Sequence, residues 1–207
     1  MVRRGAAGAT LVLTICALFT GAALLAAVLL HLSLALTLGI LGAFAVALAT
    51  LALRVVPVAS RRELAVRAAA GAAGGALGVG LYDGVRLGIV SLGHLRTDPF
   101  AAVPFFGALI TGADPHSHVA FDVGLAYHYA NGVFFGVSFG IALGRRSWWW
   151  GIPWALALEL LMLTIYPGWL KIGPAMMEEF TVVSLSGHLA YGTGLGVATT
   201  ALVRRFA

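Results

Sequence analysis

Four ionisable residues stand inside apolar stretches of this chain: Asp83, His128, Glu159 and His188. Ionisable groups within hydrocarbon cost several kcal/mol each, so each needs a partner or a task. Two imidazoles with one or two carboxylates make a ligand set for zinc or non-haem iron, which could activate a water for hydrolysis or oxidation. Without a metal, Asp83 would pair with Arg86 three residues on, or with a neighbouring arginine, while His128, His188 and Glu159 share protons in a polar site. Haem held by His128 and His188 is a third reading, but it gives Glu159 and Asp83 no role. A purely structural reading also stands beside these. An intramembrane histidine commonly bonds a neighbouring helix, and Asp83 and Arg86 can simply neutralise each other.

Two of these residues head a repeated pattern. His128 is followed by Gly132, Gly136, Gly140 and Gly144, and His188 by Gly192 and Gly196. Spacing of four keeps such residues on one helix face, where small side chains let a second backbone approach. The shared histidine suggests a weak internal duplication; two unrelated glycine seams are the plainer account. The stretch holding Gly71, Gly74, Gly75, Gly78, Gly80 and Gly84 would pack with both.

The elements that carry these residues are membrane helices. The chain has 207 residues, 60% hydrophobic and 10% charged. Soluble domains carry about 25% charged residues. A span needs about 20 apolar residues. Six candidates follow: 7–30, 32–56, 66–93, 121–144, 148–166 and 181–203. The first resembles a signal peptide in having Arg3 and Arg4 before it, but its apolar run is long enough for an anchor. The expected fold is therefore an all-α integral membrane protein, a single polytopic domain over residues 1–207.

The cations orient it. Arg3, Arg4, Arg54, Arg61, Arg62, Arg67, Arg145, Arg146, Arg204 and Arg205 all fall on one side of six spans, and only Arg86, Arg96 and Lys171 lie elsewhere. The positive-inside rule puts both termini in the cytoplasm of a cell-membrane protein. The net charge of +5 is thereby used up at helix ends, so nucleic acid is not an expected partner; the bilayer is. Trp148, Trp149, Trp150 and Trp154 would form an interfacial belt.

Counted along these spans at 1.5 Å per residue, Asp83, His128, Glu159 and His188 all sit roughly 10–15 Å below the outer helix ends. Arg86, Asn131, Tyr82 and Tyr191 fall near the same level. The expectation is a polar cavity in the outer half of the bilayer, lined by Asp83, Arg86, His128, Asn131, Glu159, His188 and Tyr191. The outer loop 94–120 would cover it. Its apolar stretch from Pro99 to Thr111 is too short to span and reads as an interfacial or re-entrant helix, capped by Thr97 or Asp98.

Other features are weaker. Asp114-Pro115-His116-Ser117-His118 is a surface metal site or, more simply, a solvated turn. His31 and His94 would face headgroups, with Arg96. Met162, Met176 and Met177 read as packing residues. Tyr166-Pro167-Gly168-Trp169 reads as a turn with interfacial aromatics. Glu178 and Glu179 suit a helix N-terminus. The lone Cys16 excludes an internal disulfide. There is no phosphate loop, dinucleotide fingerprint or Gly-x-Ser-x-Gly. Two functions are consistent with this pattern: binding or transport of a small or amphipathic solute, which implies a homodimer, and a metal-dependent intramembrane enzyme for a lipid-like substrate.

Overall fold

The computed structural model describes residues 2–207, with side chains from Ala7 onward; the side chains of Arg3 and Arg4 lie outside the described residues. All regular structure is helical: α1 (Val2–Cys16), α2 (Phe19–Leu30), α3 (Leu34–Val55), α4 (Val58–Gly93), α5 (Val103–Thr111), α6 (His118–Leu143), α7 (Gly151–Trp169) and α8 (Pro174–Phe206). A single 3-10 turn, Trp148–Trp150, leads into α7.

Three helical segments are long and apolar enough to cross a membrane: α3, α4, and Trp148–Trp169; the α1–α2 pair makes a fourth if its bent halves form one span. Helices α6 and α8 have 26 and 33 residues but fall short in mean hydropathy. The reason is their position. They are packed among other helices, so they can carry the glycines, hydroxyls and histidines that a lipid-facing helix cannot.

Helix α4 is the centre of the packing. Its largest interfaces are with α8 and α6, and they use different glycines. A side chain at Gly71 or Gly75 would strike the backbone of Gly136 or Gly132 on α6. One at Gly74 or Gly78 would strike Thr199 or Tyr191 on α8. Small residues at these positions bring three backbones together, as the glycine-rich sequence predicts. The two His-x-x-x-Gly helices do not repeat one another, however. Gly132, Gly136 and Gly140 pack on α4, whereas Gly192 and Gly196 pack on the start of α7, against Gly151 and Trp148.

The first expected span, 7–30, is broken, with a bend of 49° between α1 and α2. No proline or glycine marks the break at Ala17–Leu18. The Leu18 amide turns to the Ile15 carbonyl at 3.0 Å, which frees the Thr14 carbonyl. The Ser138 hydroxyl from α6 donates to that carbonyl at 2.8 Å, and the Tyr127 hydroxyl donates to Thr20 O at 2.9 Å just past the break. Side chains from a neighbouring helix thus satisfy backbone that lipid could not.

The basic segments share one end. Arg145 reaches Glu63 at 3.1 Å, Glu63 also pairs with Arg67 at 3.7 Å, and Arg67 Nε donates to Gly140 O at 3.2 Å. Ala7 and Thr10 of α1 line a small cleft with Val56, Ser60 and Arg67. At the opposite end the Glu179 carboxylate accepts from the amides of Arg96 and Thr97, at 2.9 and 3.2 Å.

The segment Pro99–Thr111 is helical only from Val103, later than the sequence suggests. Thr97 is not its cap, because its amide and hydroxyl are held by Glu179. Asp98 Oδ1 instead accepts from the Phe100 amide at 2.8 Å, folding a turn ahead of the helix. Nine residues give α5 a length of about 14 Å, too short to span. It lies directly on α6, where Gly107 meets the Ala120 carbonyl and Gly124 meets the Val103 carbonyl.

Candidate functional site

The seven predicted cavity residues come from α4, α6, α7 and α8 and surround one cavity of about 350 Å³. Arg86, His128, Asn131, His188 and Tyr191 line it; Asp83 and Glu159 stand behind the histidines and do not. Each carboxylate has its own imidazole. His128 Nε2 lies 3.2 Å from Asp83 Oδ1. His188 Nδ1 lies 2.8 Å from Glu159 Oε2 and 3.1 Å from the Ser184 carbonyl. With two acceptors facing it, His188 Nδ1 is the protonated nitrogen, and Nε2 is left free. A carboxylate behind an imidazole fixes the tautomer and orientation of the ring in this way.

Glu159 is 2% exposed and Asp83 5%, so both carboxylates are sequestered from solvent and lipid. Ser184 Oγ donates to Glu159 Oε2 at 2.8 Å, leaving Glu159 Oε1 enclosed without a partner, as is Asp83 Oδ2. The Tyr82 ring touches both imidazoles, at 5.7 Å from His128 and 4.9 Å from His188. The Arg86 guanidinium lies over the same ring, 4.4 Å from its centre. The Tyr191 hydroxyl donates to Gly132 O at 2.8 Å, which ties α8 to the glycine seam of α6.

The proposed metal set of Asp83, His128, Glu159 and His188 does not form. It divides into two dyads, and among the described residues no three His, Cys, Asp or Glu side chains converge as a metal site requires. The physical reason is that each carboxylate is turned onto its own imidazole. The Asp114–His118 cluster is likewise a turn: Asp114 Oδ1 accepts from the His116 amide at 2.7 Å, and Ser117 caps α6 through the Ala120 amide. Trp148, Trp149 and Trp150 are exposed, but Trp154 is not part of that belt; it packs on Phe139 at 6.0 Å with its indole nitrogen enclosed. His31 and His94 end α2 and α4 in the left-handed conformation.

The remaining wall is apolar. The α1–α2 break contributes Leu18, Gly21 and Ala22; α7 contributes Leu158, Leu161 and Met162. The segment 94–120 adds Asp98, Pro99, Ala101, Ala102 and Phe106. Phe106 stacks on Trp169 at 5.8 Å and meets the edges of Tyr127 and Tyr166, closing that end with aromatic rings. Sequence spacing gave no warning of the helix break or of Ser184 behind Glu159. It placed Tyr166 and Trp169 in a turn, whereas they belong to α7 and join the aromatic cover.

These features define a class: an all-helical protein with several helices apolar enough to cross a membrane, built around an amphipathic cavity. No protein-family model, curated protein or solved structure matches the chain.

Proposed function

We propose that this is a cell-membrane protein whose cavity binds a small or amphipathic solute and, in a homodimer, carries it across the bilayer. The observation that supports this reading most directly is the cavity's two-sided wall. One side presents Tyr82, Arg86, His128, Asn131, His188 and Tyr191; the other is hydrocarbon from the α1–α2 break, α2 and α7. Ligand sites are typically 300–1,000 Å³, largely apolar, with a few fixed polar groups. A helix broken beside a binding cavity is a recurring feature of membrane transporters.

In this reading the chain crosses six times, through α1–α2, α3, α4, α6, α7 and α8. The shared basic end faces the cytoplasm, as do both termini. Helix α5 enters from the outer side without crossing. The polar face of the cavity then lies in the outer half of the bilayer.

Two experiments test this. In a Cys16→Ala background, a cysteine at Ser147 should be labelled only from the cytoplasmic side and one at Asp114 only from outside; any other result removes the six-span arrangement. For binding, a neutral solvatochromic naphthylamine titrated into protein in zwitterionic lipid discs should saturate at one site per chain. Ala22→Trp, which fills the cavity, should abolish that signal. Binding that never saturates, or that ignores Ala22→Trp, overturns the cavity as a site.

A further inference from the structure

Arg86 is the unspent group in this cavity. A guanidinium carries five N–H donors. Its nearest carboxylate oxygen, Asp83 Oδ1, is 3.8 Å away, beyond hydrogen-bond reach, and that oxygen already faces His128 Nε2 at 3.2 Å. Beyond this, its contact is the face of Tyr82. Among the described residues no acceptor bonds any of the five donors, and Nε is fully enclosed. Asp83 offsets part of the charge from 3.8 Å, but an arginine side chain only 11% exposed that lines an apolar-walled cavity with its N–H donors unbonded remains costly until an anion's oxygens accept from them. Asp83 does not complete it, because its Oδ1 is 3.8 Å from the guanidinium and faces His128 Nε2 at 3.2 Å, and Glu159 is held on His188 and Ser184.

The shape of the cavity says what the anion is attached to. From Arg86 the space runs between the α1–α2 break and α7. Helix α7 has extended interfaces only with α8 and with the Trp148–Trp150 turn, and none with α2. Leu161, which lines the cavity from α7, is 43% exposed. That side is therefore open laterally, toward hydrocarbon if these helices span a bilayer, while Phe106 and Trp169 close the outer end.

We infer that the ligand is a single-chain anionic amphiphile that enters sideways between α2 and α7, seats its carboxylate or phosphate head on Arg86, and lays its chain along Leu18, Ala22, Leu158 and Met162. Arginine is suited to this because its planar donor fork takes two anion oxygens at once. The Asn131 amide, whose Oδ1 is enclosed without a partner, stands in the same wall and can donate through its nitrogen to the head. The inference rests on the proposed solute-binding cavity and adds the charge and form of the solute.

The test is displacement of the neutral naphthylamine from protein in zwitterionic discs by dodecanoate, dodecyl phosphate, dodecanol and dodecylammonium. Membrane partitioning is measured for each in parallel on empty discs. At equal membrane concentration, one or both anions should displace the probe roughly tenfold more effectively than dodecanol. Which anion leads distinguishes a carboxylate from a phosphate head. Arg86→Met should erase that advantage while the naphthylamine still binds, and Arg86→Lys should restore part of it. Equal displacement by dodecanol, or stronger displacement by dodecylammonium, overturns the anionic ligand and leaves the cavity standing. An anion advantage that survives Arg86→Met also overturns it. Failure of the naphthylamine to bind the wild type removes both readings together.

Discussion

Glu159 on α7 and His188 on α8 meet at 2.8 Å, and the same carboxylate oxygen accepts from Ser184, one turn before His188. The contact joins α7 to the core at a point where both side chains are almost entirely enclosed. Removing the carboxylate should therefore cost far more than trimming a surface pair. Glu159→Leu strands the buried Ser184 hydroxyl and leaves the His188 N–H only the Ser184 carbonyl, and should lower stability by about 3 kcal/mol. Glu159→Gln keeps an acceptor and should cost about 1–2 kcal/mol. Ser184→Ala, which deletes one neutral donor, should cost about 1 kcal/mol. Reversible unfolding in mixed micelles would rank the three; equal losses would mean the dyad has no special place in the packing.

The central glycines should divide by the face they occupy. A Cβ at Gly75 would come within 2.6 Å of Gly132 O, and one at Gly136 within 2.7 Å of the Gly75 α-carbon. Neither backbone can yield cheaply, so Gly75→Ala and Gly136→Ala should each lose about 2 kcal/mol or more. Gly80 and Gly84 on the same helix face open space. Alanine there should be neutral, or stabilising by up to about 1 kcal/mol through helix propensity. The same unfolding assay separates the two groups.

The break between α1 and α2 should depend on Ser138. This side chain is wholly buried and its hydroxyl serves the Thr14 carbonyl that the bend releases. Ser138→Ala should cost about 1 kcal/mol by leaving that carbonyl bare. The loss should appear as faster hydrogen exchange around Ala17 and Leu18 rather than in α8. Uniform exchange changes across the bundle would argue against a local role.

The 94–120 segment should loosen in acid. The amides of Arg96 and Thr97, together with the Arg96 charge, hold the Glu179 carboxyl below the usual glutamate range. A carboxyl whose folded pKa is depressed contributes stability above its unfolded pKa and loses it as pH falls through the folded value. The tether is thus intact at neutral pH and released below the ordinary glutamate range. Amide exchange of residues 96 and 97, corrected for intrinsic rate, should rise over that interval, and Glu179→Ala, which removes the acceptor, should show high exchange at neutral pH with no acid-dependent rise. An unchanged pH profile in the variant would assign the loosening to another group.

Several of these relationships were legible before any fold was known. An ionisable residue in an apolar run is conspicuous because hydrocarbon offers it nothing, and helix rise converts its place in the sequence into depth. That arithmetic named Asp83, Arg86, His128, Asn131, Glu159, His188 and Tyr191 together. Glycine spacing likewise pointed to close packing among α4, α6 and α8, because the period that puts small residues on one face is a local property of a helix.

Depth, however, is one coordinate of three. Whether four side chains at one level meet as a quartet or as two pairs depends on the rotation of each helix about its axis, and neighbouring helices set that rotation. Packing turned Asp83 onto His128 and Glu159 onto His188, which dissolved the metal set and left Arg86 facing the cavity. The bend at Ala17–Leu18 was invisible for the same reason: its stabilising groups, Ser138 and Tyr127, are more than a hundred residues away along the chain. Composition and period made the helices and their glycine faces legible; only tertiary contact decided which charges found each other and which one was left over.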